Sequence, residues 1–385
     1  MKKPLDEWQE IELGKLITII AGQAPPSSSY NKLGNGLPFL RINSFTEKYP
    51  ITDSFTTDSL KECEKGDILL SVAGTIGAVN IADKKYSITR SIFALRVIDK
   101  QLDNSYLFYF LKILKEKLSS FGTGTSQKII TIKTVNTIKI PFPPISIQQK
   151  IVSILDKVEK IKQMRNESDE LTSNFLVSSF LEMFGEPSKN PKFKIKKLGD
   201  VCEVKSGGTP DRKNSSYWDN GNIPWVKTAE VNGKTINSTE ECITENGRKN
   251  SNASIYPKNS LLIAMYGQGK TRGRVAKLGI NASTNQACAV LLPSTNYNTD
   301  FLLNFLKISY INLRNLGRGG NQPNLNLNLI KQFEIILPPL ELQKQFASVC
   351  KKIEELKTMQ KKSKEYFNGL GENLLQKAFK GELVC

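Results

Sequence analysis

Two stretches of this 385-residue chain repeat each other without a gap, 195 residues apart, opening at Thr89 and Thr284. Leu107, Phe110, Leu111, Lys112 and Ile113 return as Leu302, Phe305, Leu306, Lys307 and Ile308. Gly122, Gly124 and Gln127 return as Gly317, Gly319 and Gln322, Pro143-Pro144 as Pro338-Pro339, and Gln148 as Gln343. Glu159, Lys162 and Met164 return as Glu354, Lys357 and Met359. Solenoid units repeat every 20 to 50 residues or so, so this period describes whole domains, each with an appendage. A fold for this chain must therefore place two like frameworks. Where the copies diverge, the two surfaces differ on similar scaffolds.

Each copy opens alike. Trp8-Gln9-Glu10-Ile11-Glu12-Leu13-Gly14 faces Phe193-Lys194-Ile195-Lys196-Lys197-Leu198-Gly199. Leu37-Pro38-Phe39-Leu40-Arg41 then faces Ile223-Pro224-Trp225-Val226-Lys227, at an offset of 186. Short apolar runs beside turn residues predict strands at 66–73 and 260–265. Both lead into glycine-punctuated loops, Gly74-Thr75-Ile76-Gly77 and Gly267-Gln268-Gly269-Lys270-Thr271-Arg272-Gly273. Apolar residues at helical spacing predict helices over 105–118 and 299–313. Ile130, Ile132, Ile138, Ile140 and Phe142 suggest closing strands, as do Leu325, Leu327, Phe333, Ile335 and Leu337.

After each Pro-Pro the period changes. Ile147, Ile151, Ile154, Val158 and Ile161 are spaced 4, 3, 4, 3, a heptad seam. Phe346, Val349, Ile353 and Leu356 form its counterpart. Proline suits a helix entrance, where a missing amide donor costs nothing. Each helix would run 35–40 residues, or roughly 55 Å at the α-helical rise. A stripe of that length needs a partner, and an antiparallel pair burying both seams supplies one. Across it Ile154 and Val158 should face Val349 and Ile353 or their neighbours. The other solution packs each stripe on its own globular domain. The expected interface residues are Ile151, Ile154, Val158, Ile161, Phe346, Val349, Ile353 and Leu356. The expected division is 1–144 for the first domain and 145–188 for its helix, then 189–338 and 339–385. The fold class is α+β, with an internal pseudo-twofold repeat.

Charge narrows the function. Lys and Arg number 54 against 37 Asp and Glu, a net +17, with a sequence pI near 9.4. Cations release counterions from phosphates, so a polyanionic partner is expected. The basic residues spread through both copies and form no polybasic tail of the kind that seeks membranes. Hydrophobic content is 39%, mean hydropathy is −0.31, and no run of eighteen apolar residues occurs. A cytoplasmic chain without membrane partners is expected. The six cysteines form no CxxC pair, so neither a disulfide framework nor a bound metal is expected. There is no histidine. That removes the commonest general base and transition-metal ligand.

Several motifs carry less than they suggest. Ala264 to Thr271 fits a permissive phosphate-loop pattern, but the next residues, Arg272-Gly273-Arg274-Val275-Ala276, read as turn and strand. Phosphate loops need a helix there. Copy one has no equivalent lysine. The Pro-Pro pairs come after Phe142 and Leu337, so no [DNS]PP[YF] methylation motif exists, and Phe121-Gly122-Thr123-Gly124 is no FxGxG. Glu354-Glu355-Leu356-Lys357 matches a nuclease ExK only as a helix surface.

The loops hold side chains suited to nucleic acid. Copy one offers Arg41, Asn43, Thr75, Arg90, Ser91, Ser126, Gln127 and Lys128. Copy two offers Lys227, Thr228, Tyr266, Gln268, Lys270, Arg272, Arg274, Asn285, Gln286, Arg318, Asn321 and Gln322. Arginine bridges guanine O6 and N7, and Asn or Gln bridges adenine N6 and N7. Any one of them can instead touch a phosphate or brace a turn.

Taken together, the Leu-Gly opening, the Ile/Leu-Pro-Phe/Trp segment, the glycine loop, the GxGxxQ turn and the Pro-Pro…Gln entrance, all duplicated, resemble the DNA-specificity subunit of type I restriction–modification enzymes. The likeness covers essentially the whole chain. It implies two target-recognition domains, each reading half of a split site in double-stranded DNA. It also implies two long antiparallel helices that fix the spacing and dock methyltransferase subunits, two of them, with restriction/translocase subunits beyond. The chain itself would be non-catalytic and hold no cofactor. S-adenosylmethionine, ATP and Mg would serve the partners. Copy one departs in having Arg90-Ser91 for Asn285-Gln286, and Ala73 before Gly74 where copy two has Tyr266. Two readings stay open beside this one: a recognition subunit whose partner fuses methylase and nuclease, and a stand-alone DNA-modifying enzyme.

Overall fold

The computed structural model describes residues 8–121, 129–186, 190–267, 270–317 and 324–383. The chain packs as two compact units, Met1–Asn166 with Lys361–Cys385, and Glu167–Gln360. Each long helix thus contributes one part to each unit.

In the first unit an antiparallel sheet runs in the order Ile17–Ala21, Ile92–Val97, Ile68–Ser71, Val79–Ile81. Its strand Ile68–Ser71 is buried throughout because both faces are covered. Ile68 and Leu70 join the main core with Leu107, Phe110 and Leu111. Leu69 joins a second core with Leu40, Ile88 and Ala94. That two-sided burial is why the sequence reads as a continuous apolar run without alternation. The second unit repeats the arrangement in Leu261–Ala264. There Leu261 and Ile263 face one core, and Leu262 and Ala264 face the other.

A second layer carries the recognition loops. Leu37–Leu40 lies between Phe55–Thr56, antiparallel, and Tyr86–Ile88, parallel. Ile223–Val226 lies likewise between Glu241–Ile243 and Ser283–Thr284.

The helices over 105–118 and 299–313 are each broken. Asn104–Ile113 stops at Leu114 before Lys115–Phe121, and Thr299–Ile308 stops at Ser309 before Tyr310–Asn315. Both first segments start on a side-chain cap: Asp103 accepts from the Ser105 and Tyr106 amides, Asn298 from those of Asp300 and Phe301. The closing strands are shorter than expected. Ile132 and Leu327 sit in the helices Ile132–Asn136 and Leu327–Lys331, capped by Thr131 and Asn326. A local side-chain cap outweighs strand propensity there. Only Lys139–Phe142 and Glu334–Ile336 are strands, and they pair antiparallel with Gln9–Glu12 and Ile195–Lys197. The repeated Leu-Gly belongs to this junction. A Cβ on Gly14 would lie 2.9 Å from Asn136, and one on Gly199 would lie 3.0 Å from Lys331.

The long helices span Ile145–Phe184 and Leu340–Phe379. Gln148 fastens the first: its Oε1 accepts from the Asp103 amide at 2.9 Å, and its Nε2 donates to Gln101 O and Pro143 O, both at 2.8 Å. Gln343 does the same with the Asn298 amide at 2.8 Å and Pro338 O at 2.7 Å. The helix ends enter the cores. Phe379 meets Tyr106 and Phe110, with ring centroids 4.8 and 5.6 Å away. Phe184 meets Phe301 and Phe346 at 5.4 Å each.

The helical segments pair antiparallel within each unit, but in a different register from the one the seams suggested. In the first unit Val158 lies against Gly371, where an added Cβ would stand 2.9 Å from Val158 Cγ1. Ile151 is buried with Ala378 and Phe379. In the second unit Gln360 donates to the Thr172 hydroxyl at 2.8 Å, and Val349 and Ile353 line a groove with Thr172, Phe175 and Ser179. Ile154 and Val158 therefore do not face Val349 and Ile353. A heptad stripe specifies a face and not an axial register. The register is set where Phe184 and Phe379 lock into the cores. Phe346 is buried, whereas Ile161 and Leu356 remain 36% and 45% exposed.

Candidate nucleic-acid interface

The sheet geometry gathers the loop residues. In the first unit Leu40 pairs in parallel with Ile88, so Arg41 and the Thr89-Arg90 step leave the sheet side by side. The Val72 amide donates to Ser91 O at 2.9 Å, the Ile130 amide to Val72 O at 3.0 Å, and the Gln23 amide to Ile88 O at 3.0 Å. Gly74, at φ +75°, approaches Ile42 so closely that a Cβ would stand 2.8 Å from Ile42 Cδ1. Arg41, Asn43, Thr75, Arg90 and Ser91 thus share one rim, and all but half-buried Ser91 are exposed.

The second unit repeats the rim. Val226 pairs in parallel with Thr284. The Asn285 amide donates to Val226 O at 3.2 Å, the Met265 amide to Ala287 O at 2.8 Å, and the Leu325 amide to Met265 O at 3.0 Å. Lys227, Thr228, Tyr266, Asn285 and Gln286 come together there. Ser126, Gln127, Lys128, Gln268, Arg318, Asn321 and Gln322 lie outside the described residues.

Lys270, Arg272 and Arg274 run away from this rim along the helix Tyr310–Asn315. The Tyr310 hydroxyl donates to Lys270 O at 2.8 Å, and Arg314 to Arg272 O at 3.3 Å. Arg272 is 8% exposed, and its Nε has no hydrogen-bond partner. A buried side chain of this kind is out of reach of a ligand at the rim. The segment continues into the strand Val275–Leu278, so the phosphate-loop pattern lacks the helix N-terminus its chemistry needs.

The rims differ electrostatically. Arg41 has no ion-pair partner among the described residues, and its guanidinium stacks over Tyr30 and Phe39 at 4.9 and 5.2 Å. Stacking of this kind orients the planar donor fork in advance. Lys227, at the equivalent position, is held by Glu240 at 2.5 Å and Glu241 at 3.3 Å. The Glu240 hydrogen bond raises the Lys227 pKa above its ordinary value. The second unit stacks an arginine from a different segment, Arg212, over Trp218 and Trp225 at 3.8 and 4.7 Å. Glu241 binds it at 2.6 Å. Asn285 accepts from the Thr228 hydroxyl at 2.9 Å, and Gln286 accepts from the Thr209 hydroxyl. Both keep their amide nitrogens as donors.

Sequence reasoning missed the repeated aromatic pair, Tyr30 with Phe39 and Trp218 with Trp225. Each pair has centroids 5.0 Å apart. The signal was the Pro-Phe/Pro-Trp step, whose ring is 1–2% exposed in both copies. Its partner is invisible in one dimension because it arrives from a separate loop. Among the described residues no group of three or more His, Cys, Asp or Glu side chains converges as a metal site.

Two mixed α/β domains with matched loop rims and long helical extensions define a class, a duplicated recognition module. The family emerges from comparison with known proteins. The model of the type I restriction–modification DNA specificity domain matches twice, over residues 5–173 and 190–365, and the chain belongs to that family. It is 25% identical over 425 aligned positions to the type I restriction enzyme MjaIX specificity subunit of Methanocaldococcus jannaschii, covering 98% of this chain and 96% of that one. It is 38% identical over 168 positions to a putative MjaX specificity subunit of the same organism, covering 43% of this chain and 40% of that relative. Among solved structures, the S subunit of a type I system from M. genitalium superposes with a TM-score of 0.56 at 17% identity, over 97% of this chain and 96% of that one. A chain from work on complex assembly and conformational transition of the type I system gives 0.66, also at 17% identity, over 98% of each. The chain is thus a type I specificity subunit with two DNA-recognition domains.

Proposed function

We propose that each domain reads one half of a bipartite site in double-stranded DNA through its rim, and that the chain directs partner methyltransferase and restriction subunits to that site. The observation that carries this is one frame presenting two sets of side chains. The parallel strand pair, the glycine loop and the aromatic pair recur, while Arg41 becomes Lys227 and Arg90-Ser91 becomes Asn285-Gln286. Backbone phosphates supply most of the affinity, and the few rim donors supply discrimination.

The chain is non-catalytic. It has no histidine and no methylation motif, and the described rim residues are hydrogen-bonding groups suited to binding. S-adenosylmethionine, ATP and Mg act in the partners. Docking of two methyltransferase subunits is supported by exposed apolar side chains that recur on the helices. Ile161 and Met164 are 36% and 57% exposed, and their repeats Leu356 and Met359 are 45% and 67% exposed. A soluble helix leaves such a pattern uncovered when a partner covers it.

The test is methyl transfer. The purified chain, mixed with DNA and a labelled methyl donor, should transfer nothing. Adding the methyltransferase should give incorporation at a two-part site. Incorporation by the chain alone would refute the assignment.

A further inference from the structure

The internal repeat provides its own control at one place outside the rims. In the first unit Lys112 is enclosed by two carboxylates, Glu159 at 3.3 Å and Glu47 at 3.5 Å. Its repeat, Lys307, has Glu354 at 3.9 Å. The second carboxylate is missing because Gly233 stands where the first unit has Glu47. The backbone supports that equivalence: the Ile81 amide donates to Lys48 O, and the Lys277 amide donates to Lys234 O. The residues just before, Glu47 and Gly233, therefore approach corresponding lysines. A Cβ on Gly233 would lie 4.0 Å from Lys307 Cε.

In place of the carboxylate is a pocket of about 250 Å³, bounded by Asn232, Gly233, Lys270, Arg274, Lys307 and Tyr310. Lys270 and Arg274 have no ion pair among the described residues, and the nearby Lys277 is neutralised by Asp300. Three cationic residues thus line the pocket, and the carboxylate paired with Lys307 is Glu354 alone, at 3.9 Å. Burial pushes the Lys307 amine below its ordinary pKa, against the pull of Glu354. A charge desolvated this far gains from any anion that enters.

We propose that this pocket is a phosphate-binding site, present in the second domain alone, which takes a DNA backbone phosphate between Lys307, Lys270 and Arg274. The site rests on the DNA-reading assignment and deepens it. The backbone source is favoured over free phosphate because the segment that leaves the rim carries Lys270 and Arg274 to the pocket. Tyr266 belongs to the rim, and Lys270, four residues on, belongs to the pocket.

The test compares DNA affinity of the full chain at 50 and 200 mM salt for wild type, Lys307→Met, Lys307→Arg and the mirror variant Lys112→Met, with thermal melts confirming that each is folded. One lost phosphate contact flattens the log–log salt slope by about 0.9. The affinity ratio between the two salt concentrations should therefore shrink about 3.5-fold in Lys307→Met. It should recover in Lys307→Arg and stay unchanged in Lys112→Met, with base preference intact throughout. An unchanged slope in Lys307→Met overturns the proposal while leaving DNA recognition standing. Wild type that binds no DNA at any salt concentration sinks the underlying reading instead. Titration with inorganic phosphate separates the sources: phosphate binding lost in Lys307→Met, alongside an unchanged DNA slope, would assign the pocket to free phosphate and refute the backbone assignment.

Discussion

Replacing Gln148 with leucine should loosen the first unit far more than its surface-like polarity suggests. The side chain is fully buried and satisfies three backbone groups: the Asp103 amide, Gln101 O and Pro143 O. Leucine matches its size but strands all three. Each buried, unsatisfied group costs about 1–3 kcal/mol, so the loss is about 3–6 kcal/mol after allowing for relaxation. Gln343 satisfies two such groups, so Gln343→Leu should cost the second unit about 2–4 kcal/mol. Tryptophan reports on the units separately, since Trp8 lies in the first and Trp218 and Trp225 in the second. Urea unfolding of single-tryptophan versions would be followed by fluorescence. With a slope of about 2–3 kcal/mol per molar, the midpoint for the first unit should fall by about 1–3 M in Gln148→Leu. A shift below about 0.3 M would refute the reasoning, for it would mean that water or relaxed backbone replaces the glutamine at no cost.

The same geometry carries other expectations. With six to ten phosphate contacts, DNA affinity should fall with salt at a log–log slope of about −5 to −9; a slope near zero in a gel-shift series would contradict the role given to the +17 charge. Gly371→Val should destabilise the helical segment beside Val158 by about 1–3 kcal/mol, because its Cβ has only 2.9 Å to Val158 Cγ1; a neutral thermal melt would show that the pair is loose there. Val158 is half-buried, so Val158→Asp should cost about 1–2 kcal/mol through lost packing in the same contact, and an unchanged melt would place Val158 in solvent. Burial pushes the Cys63, Cys202 and Cys350 thiols up to about 12. They should therefore resist a thiol reagent at pH 8 until the chain unfolds, and mass-mapped labelling of native protein at any of the three would contradict this.

Much of the framework was legible because its constraints are local. Pro-Pro before an apolar heptad seam announces a helix entrance, and the helices begin at Ile145 and Leu340. Continuous apolar runs beside glycine announced Ile68–Ser71 and Leu261–Ala264. The failures lie where a distant or weak local interaction decides. Ile132 and Leu327 look like strand residues until Thr131 and Asn326 are seen to cap short helices. Ile154 and Val158 have the right face but the wrong partners, because Phe379 and Phe184 fix the register from the helix ends. At the candidate site the residue types were readable and the pairings were not. Nothing in one dimension shows that Glu240 and Glu241 occupy Lys227 while Arg41 stacks on Tyr30 and Phe39 without an ion pair among the described residues. Arg272 looked like a DNA ligand and is buried. The duplication was the most useful signal, since differences between copies point to individual side chains.

Two separately coded rims should read two halves of one site. The most direct test of that claim maps methylated sites in cells carrying this chain with its methyltransferase, before and after residues 10–144 are replaced by the matching part of a relative. One half of the methylated site should change while the other half keeps its bases. Both halves changing together, or neither changing, would contradict the claim.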